Sequence, residues 1–136
     1  MRRIIETDDA PAAVGAYSQG ATDGSLVFTA GQIPLTPDSE MIEGSIGAQT
    51  RQALENVAAV LEAEGTSLDK ALKVTVYLAD IDDYEGMNGV YEDFFGGDPP
   101  ARSAFAVGTL PKGAGVEIEA IASIEDGSQL DGPADD

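Results

Sequence analysis

Arg102 stands two residues after Pro99-Pro100 and opens a run of small and apolar side chains, Ser103-Ala104-Phe105-Ala106-Val107. A guanidinium at the mouth of a strand otherwise suited to burial needs a partner. Its planar fork of N–H donors matches the two oxygens of a carboxylate, supplied either by this chain as an internal salt bridge or by a small ligand. Position alone leaves both readings open, and a plain surface arginine with them. Glu119 is the second candidate. It falls mid-strand between Ile118 and Ala120, on the face that also holds Ile121. In a partly apolar setting a carboxyl group keeps its proton more readily and can serve as base or proton shuttle. The alternative is exposure at an edge, which is the reading for Glu117 and Glu125. Tyr17 offers a hydroxyl and a ring wall, Asn88 an amide that could orient a ligand, and Gly31 a backbone N–H. Core packing, a solvent-facing helix residue and a turn glycine are the plainer explanations of those three.

The chain has no cysteine and no histidine. Thiol nucleophiles, disulfides and thiolate metal sites are excluded, together with the usual acid/base residue of neutral pH and the commonest metal ligand. There is no phosphate-binding loop, no paired metal-ligand motif and no Ser/His arrangement. Chemistry falls to carboxylates, Arg, Lys, Tyr, hydroxyls, amides and the backbone.

The elements that must position these groups are legible from periodicity. Residues 2–5 read as a short edge strand. Residues 17–21 and 25–30 read as two strands joined at Asp23-Gly24, a hairpin signal. Residues 46–64 form the clearest helix, with Ile46, Leu54, Val57, Ala58 and Leu61 toward one face, Ser45 as N-cap and Gly65 as the stop. A strand over 71–79 alternates Val74, Val76 and Leu78 with Lys73, Thr75 and Tyr77. Asp80 is expected to cap a second helix over about 82–95, with an apolar stripe of Tyr84, Met87, Val90, Tyr91 and Phe94. Residues 102–107 and 116–124 are the last strands, Pro99-Pro100 forcing an extended entry to the first. The predicted order is β, β, β, α, β, α, β, β: one domain over residues 1–125 of α+β class, with an acidic, disordered tail over 126–136. Two helices can cover only one face of a six-stranded sheet. The other face carries Tyr, Thr, Ile and Ser and is too apolar to stay wet, so the sheet is expected to associate with copies of itself.

Composition bounds the setting. With 25 acidic against 7 basic residues the net charge is −18, which repels a phosphate backbone and disfavours nonspecific nucleic-acid binding. Abundant solvated carboxylates, small apolar residues and only three lysines suit a salt-rich interior that screens self-repulsion. The N-terminus lacks the apolar run of a signal peptide and no stretch approaches a membrane span, so a cytoplasmic protein is expected.

The segments APAAVGAYSQG (10–20), TAGQIP (29–34), TRQALENVAAVLEAEG (50–65), KVTVYLADIDDYEGMNGVYEDFF (73–95), PPARSAF (99–105) and VEIEAIA (116–122) together resemble the Rid family, formerly called YjgF, of reactive-intermediate imine deaminases. The resemblance covers nearly all of the chain except its tail, and PARS followed at this distance by EIEAIA is specific. It implies a chorismate-mutase-like fold with a mixed sheet, and a homotrimer whose sheets face a central barrel with active sites in the clefts between subunits. The implied activity is hydrolysis of 2-imino acids of the 2-iminopropanoate type, derived from 2-aminoacrylate, to 2-oxo acids and ammonia. No metal or cofactor is implied, because an iminium is already a good electrophile. By this resemblance Arg102 matches the carboxylate-binding arginine, and Glu119 matches the carboxylate that positions or activates water. Tyr17, Asn88 and the Gly31 backbone match pocket positions, and Tyr84 stands where the family often has phenylalanine, at the pocket wall. Two departures are Ala30, where a serine is common, and Ala104, where many members carry cysteine. The competing readings are an endoribonuclease, an activity of some family members, and a non-catalytic metabolite-binding or chaperone-like trimer.

Overall fold

A computed structural model describes residues 1–124, so the expected tail lies outside the described residues. The elements are β1 (Arg3–Ile5), β2 (Gly20–Thr22), β3 (Leu26–Thr29), α1 (Ile46–Ala63), β4 (Ala71–Leu78), α2 (Tyr84–Phe94), β5 (Ala101–Ala106) and β6 (Val116–Ser123). The strands form one sheet in the order β1-β2-β3-β6-β4-β5. All neighbours are antiparallel except β4 and β5, which run parallel. The expected element order, the mixed sheet and the α+β class are all present.

Strand alternation decides where the core lies. Val74, Val76 and Leu78 of β4, Val116, Ile118, Ala120 and Ala122 of β6 and Val27 of β3 are buried on one face. They meet Leu54, Val57, Val60 and Leu61 of α1 and Met87 and Tyr91 of α2 in a single cluster. Each fully buried Leu or Val contributes about 1.5–3 kcal/mol relative to exposure. The opposite face is bare. It presents Lys73, Thr75, Tyr77, Glu117, Glu119 and Ile121 from the central strands, and Phe28 and Phe105 remain 47% and 45% exposed.

Helix α1 begins where expected: the Ser45 hydroxyl accepts the Ala48 N–H at 3.1 Å. It ends at Ala63 with Gly65 in the left-handed region, φ 85°. The helices pack closely because Gly86 lacks a side chain; a Cβ there would come within 2.5 Å of Ile46 Cγ2.

Two boundaries differ from the sequence reading by more than one residue. The second strand starts at Gly20, not at residue 17. Buried Gln19 explains the shift: its Oε1 accepts from the Thr7 N–H, while Nε2 donates to the carbonyls of Thr7, Ala10 and Pro11. The Gln19 side chain thereby ties this stretch to the preceding loop, and its backbone keeps a single bond toward β3, its carbonyl accepting from the Ala30 N–H at 2.8 Å. The second helix starts at Tyr84, after a 3₁₀ turn over Ile81–Asp83 that Asp80 caps through the Asp82 N–H. No described helix is long and apolar enough to cross a membrane.

Asn56 is a polar residue inside the core face of α1, 1% exposed. Its Nδ2 donates to the carbonyls of Leu35 at 2.8 Å and Ile33 at 3.2 Å, fastening the 31–35 segment to the helix. Asn56→Ala leaves the Leu35 carbonyl without its donor, while the Ile33 carbonyl keeps the Leu35 N–H, and is expected to destabilise the fold by about 1–3 kcal/mol. Urea unfolding at fixed protein concentration measures it; a change below about 0.5 kcal/mol would show that the segment is held by other means.

Candidate active site

Arg102 is the second residue of β5 and pairs with Val74. Val74 points into the core, so the guanidinium lies on the helix side of the sheet, beneath α2. That helix presents Tyr84, Asn88 and Glu92 at four-residue intervals, hence along one stripe. Arg102 Nη1 donates to Asn88 Oδ1 at 2.7 Å, and Nη2 donates to the Tyr84 hydroxyl. The amide of Asn88 donates in turn to Glu92 Oε2 at 3.2 Å. Glu92 thus orients Asn88, and Asn88 orients the guanidinium. Beneath it lies the Tyr91 ring, with Cζ 4.7 Å from the ring centroid, a cation–π contact. Burial pushes the Tyr91 phenol pKa up, with the Arg102 charge pulling the other way. Among the described residues the Tyr91 hydroxyl is buried without a hydrogen-bond partner.

Two Arg102 N–H groups are used by α2, and the remaining ones are left to other acceptors. Among the described residues the ion pairs are Arg3–Glu64 and Arg51–Asp93, and no carboxylate pairs with Arg102. Its surroundings form a cleft of about 440 Å³ whose wall includes Asn88, Tyr91, Phe95 and Pro100. The internal salt bridge left open by the sequence is therefore absent from the described chain.

Glu119 pairs with Thr75 across β6 and β4, on the bare face. Its Oε2 accepts from the Tyr77 hydroxyl at 3.1 Å. Burial first, and then the bond to Glu119, push the Tyr77 pKa up; the phenol stays protonated and continues to donate. Tyr77 is itself braced by the Phe105 ring, with centroids 5.4 Å apart. Arg102 and Glu119 consequently lie on opposite faces of one sheet, and a small substrate cannot touch both within a single chain.

Tyr17 and Gly31 meet at a third place, a cleft of about 620 Å³ that also holds Ile33, Lys112 and Glu117. Gln32 forms a bridge to Ile118, with N–H to carbonyl distances of 2.8 and 3.0 Å, which lays the Gly31 segment along β6. A Cβ on Gly31 would stand 2.1 Å from Glu117 Oε2; the glycine is required for that close approach. Glu117 corrects the sequence reading, which set it at an exposed edge. β6 is a central strand between β3 and β4, and Glu117 is half-buried. Burial, then the neighbouring Glu119, push its pKa up. Tyr77, Tyr91 and Glu92 were also missed. The alternation of β4 marks Tyr77 as a bare-face residue, but its bond to Glu119 depends on strand order. Among the described residues no group of three or more carboxylates is gathered in a way that could hold a metal ion.

Comparison with known proteins adds to this geometry. The family model described as endoribonuclease L-PSP matches residues 7–124. A RutC family protein from Pyrococcus horikoshii is 50% identical over 123 residues, covering 90% of this chain and 98% of that protein. A 2-iminobutanoate/2-iminopropanoate deaminase from Salmonella typhimurium is 45% identical over 125 residues, covering 90% and 98%. The crystal structure of TdcF from E. coli, with bound serine, superposes with a TM-score of 0.86 at 44% identity, covering 90% of this chain and 99% of that one.

A raised carboxyl pKa in the folded state favours folding below the unfolded pKa, near ~4.3, and that contribution is lost as pH rises through the folded value. Glu117→Gln cannot titrate. The stability of the variant minus that of the parent chain is expected to increase between about pH 4 and pH 7, as read from urea unfolding at matched protein concentration. A difference independent of pH would show that Glu117 titrates as a solvated carboxylate.

Proposed function

The chain belongs to the endoribonuclease L-PSP family, the family of the Rid (YjgF) proteins, and from that premise we propose that it hydrolyses 2-imino acids of the 2-iminopropanoate and 2-iminobutanoate type to 2-oxo acids and ammonia. The observation that carries this reading is Arg102: a guanidinium fixed by Asn88, Tyr84 and Tyr91, with N–H groups left over and no carboxylate of the described chain to take them. A small carboxylate satisfies it in a bidentate way. Relatives named as deaminases of such imines, at 42–45% identity and nearly full coverage, support the same substrate class.

Because the sheet separates Arg102 from Glu119, the reading needs more than one copy of the chain, and the homotrimer that the Rid resemblance implies supplies them. Sheets face one another through their bare sides, and each cleft combines Arg102, Asn88 and Tyr84 of one copy with Glu119, Tyr17 and Gly31 of the next. The apolar residues Phe28 and Phe105 on the bare face fit burial there. In such a cleft Arg102 holds the substrate carboxylate and fixes C2. A water held by Glu119, with the Tyr17 hydroxyl beside it, adds to the iminium carbon and gives its proton to Glu119. The carbinolamine nitrogen then takes a proton from Glu119. The C–N bond breaks as the new hydroxyl gives its proton to the freed Glu119 carboxylate, leaving the 2-oxo acid and ammonia; that proton then leaves with ammonia as ammonium and restores Glu119. No cofactor enters this scheme. We place the protein in the cytoplasm, where such imines arise from dehydratases acting on serine or threonine. RNA cleavage is the weaker reading, since a net charge of −18 repels the substrate.

Imine generated by a serine or threonine dehydratase, with semicarbazide as competing trap, tests the proposal. Added protein is expected to speed 2-oxo acid release. Arg102→Ala is expected to lower kcat/KM about 100-fold or more, as loss of a charge-assisted pair implies, and Glu119→Gln to lower kcat by about 10²–10⁴. No acceleration, or full activity in Arg102→Ala, refutes the deaminase reading. Light scattering in high salt checks the assembly: three chains are expected, and a single-chain mass refutes the shared cleft.

A further inference from the structure

We propose that the Tyr84 hydroxyl is a second donor for the substrate carboxylate, so that α2 and β5 form a two-part clamp selective for that group. The proposal rests on the reading of Arg102 as carboxylate anchor and extends it to the phenol beside it.

Tyr84 opens α2, one turn before Asn88, and its hydroxyl oxygen takes an N–H from Arg102 Nη2. That bond uses an oxygen lone pair and leaves the hydroxyl proton free to be donated. Among the described residues no acceptor takes it. A phenol whose oxygen already accepts from a cation is polarised into a stronger donor. Nη2 carries a second hydrogen, and a carboxylate oxygen that takes it is held by the same nitrogen as the Tyr84 hydroxyl. The oxygen therefore lies beside a donor that has no other use. The arrangement is rigid. Tyr84 is fixed by the helix backbone, its ring centroid is 5.5 Å from Arg102 Cζ, and Asn88 holds Nη1 on the next turn. Phenylalanine, the side chain the Rid resemblance leads one to expect at this position, would supply the wall and no donor. In this chain the hydroxyl adds a neutral hydrogen bond to the ion pair. A carboxylate, able to accept from several directions, benefits; a carboxamide, whose single carbonyl oxygen must serve both donors, benefits less.

The test compares the full-length protein with Tyr84→Phe and Arg102→Ala, using the imine assay and direct binding of 2-oxobutanoate and its amide. Tyr84→Phe is expected to raise KM and the dissociation constant for 2-oxobutanoate about tenfold, as loss of a hydrogen bond to a charged group implies. It should leave kcat within about twofold, the pattern of lost uniform binding, and hardly change binding of the amide. The asymmetric carboxylate stretch of bound 1-¹³C-labelled 2-oxobutanoate should also shift between parent and Tyr84→Phe. A phenol that only braces the arginine does not produce that signature. Unchanged KM and binding in Tyr84→Phe, with both lost in Arg102→Ala, overturn the clamp and leave the deaminase reading standing. Equal losses for acid and amide, or an unshifted stretch, reduce Tyr84 to a brace and likewise overturn it. Binding retained in Arg102→Ala removes the anchor itself.

Discussion

Parallel strands cannot be joined by a tight turn, so the chain between β4 and β5 has to leave the sheet, cross its face and return. Helix α2 is that crossing. Its placement follows from the parallel pairing of Lys73 through Leu78 with Ala101 through Ala106, and the environment of Arg102 follows from its placement. The second residue of β5 shares a face with Val74, and that face is roofed by α2. A guanidinium there meets whatever the helix offers at four-residue intervals. What it offers is a phenol, an amide with a carboxylate behind it, and an aromatic ring below.

The same pleat that sends Arg102 toward α2 sends Glu119 the other way. Glu119 follows the core residue Ile118 on β6 and faces the bare side, where Tyr77 braces it. The sheet therefore divides cation from carboxylate. It also keeps them from neutralising each other, which is the fate of most arginine and carboxylate side chains that a fold brings together. Each retains capacity for a third party. Gly31 lies on a segment laid along β6 by the Gln32–Ile118 bridge, and Tyr17 lines the same cleft from the loop before β2. Glu117 and Glu119 flank Ile118, which ties this segment to the carboxylate half of the site.

Periodicity made the helices and the β4, β5 and β6 strands legible, because each has a strong apolar alternation or stripe. Arg102 stood out as a charge in a run of small residues, and Ser45 and Gly65 carried conformational signals that act locally. The start of β2 was not legible, since it is set by Gln19 reaching back to Thr7, Ala10 and Pro11, contacts that only the folded chain creates. Glu117 failed for a related reason. A glutamate alternating with apolar residues reads alike on an edge strand and a central one, and strand order decides between them. The pairing of Asn88 and Tyr84 with Arg102 crosses 14 and 18 residues; the family resemblance gathered these positions, whereas spacing alone did not.

Gly31 and Glu117 illustrate how far such contacts reach. Any side chain at position 31 would occupy the space of the Glu117 carboxylate, 2.1 Å from the nearest Cβ position. The acid ends a flexible side chain and can swing away, so a larger residue there threatens the carboxylate's position more than it threatens the fold. Drift at position 31 is then not free: it either evicts the acid or waits for a shorter residue at 117. Two positions 86 apart in the chain form one heritable unit, and natural variation at one should be correlated with variation at the other.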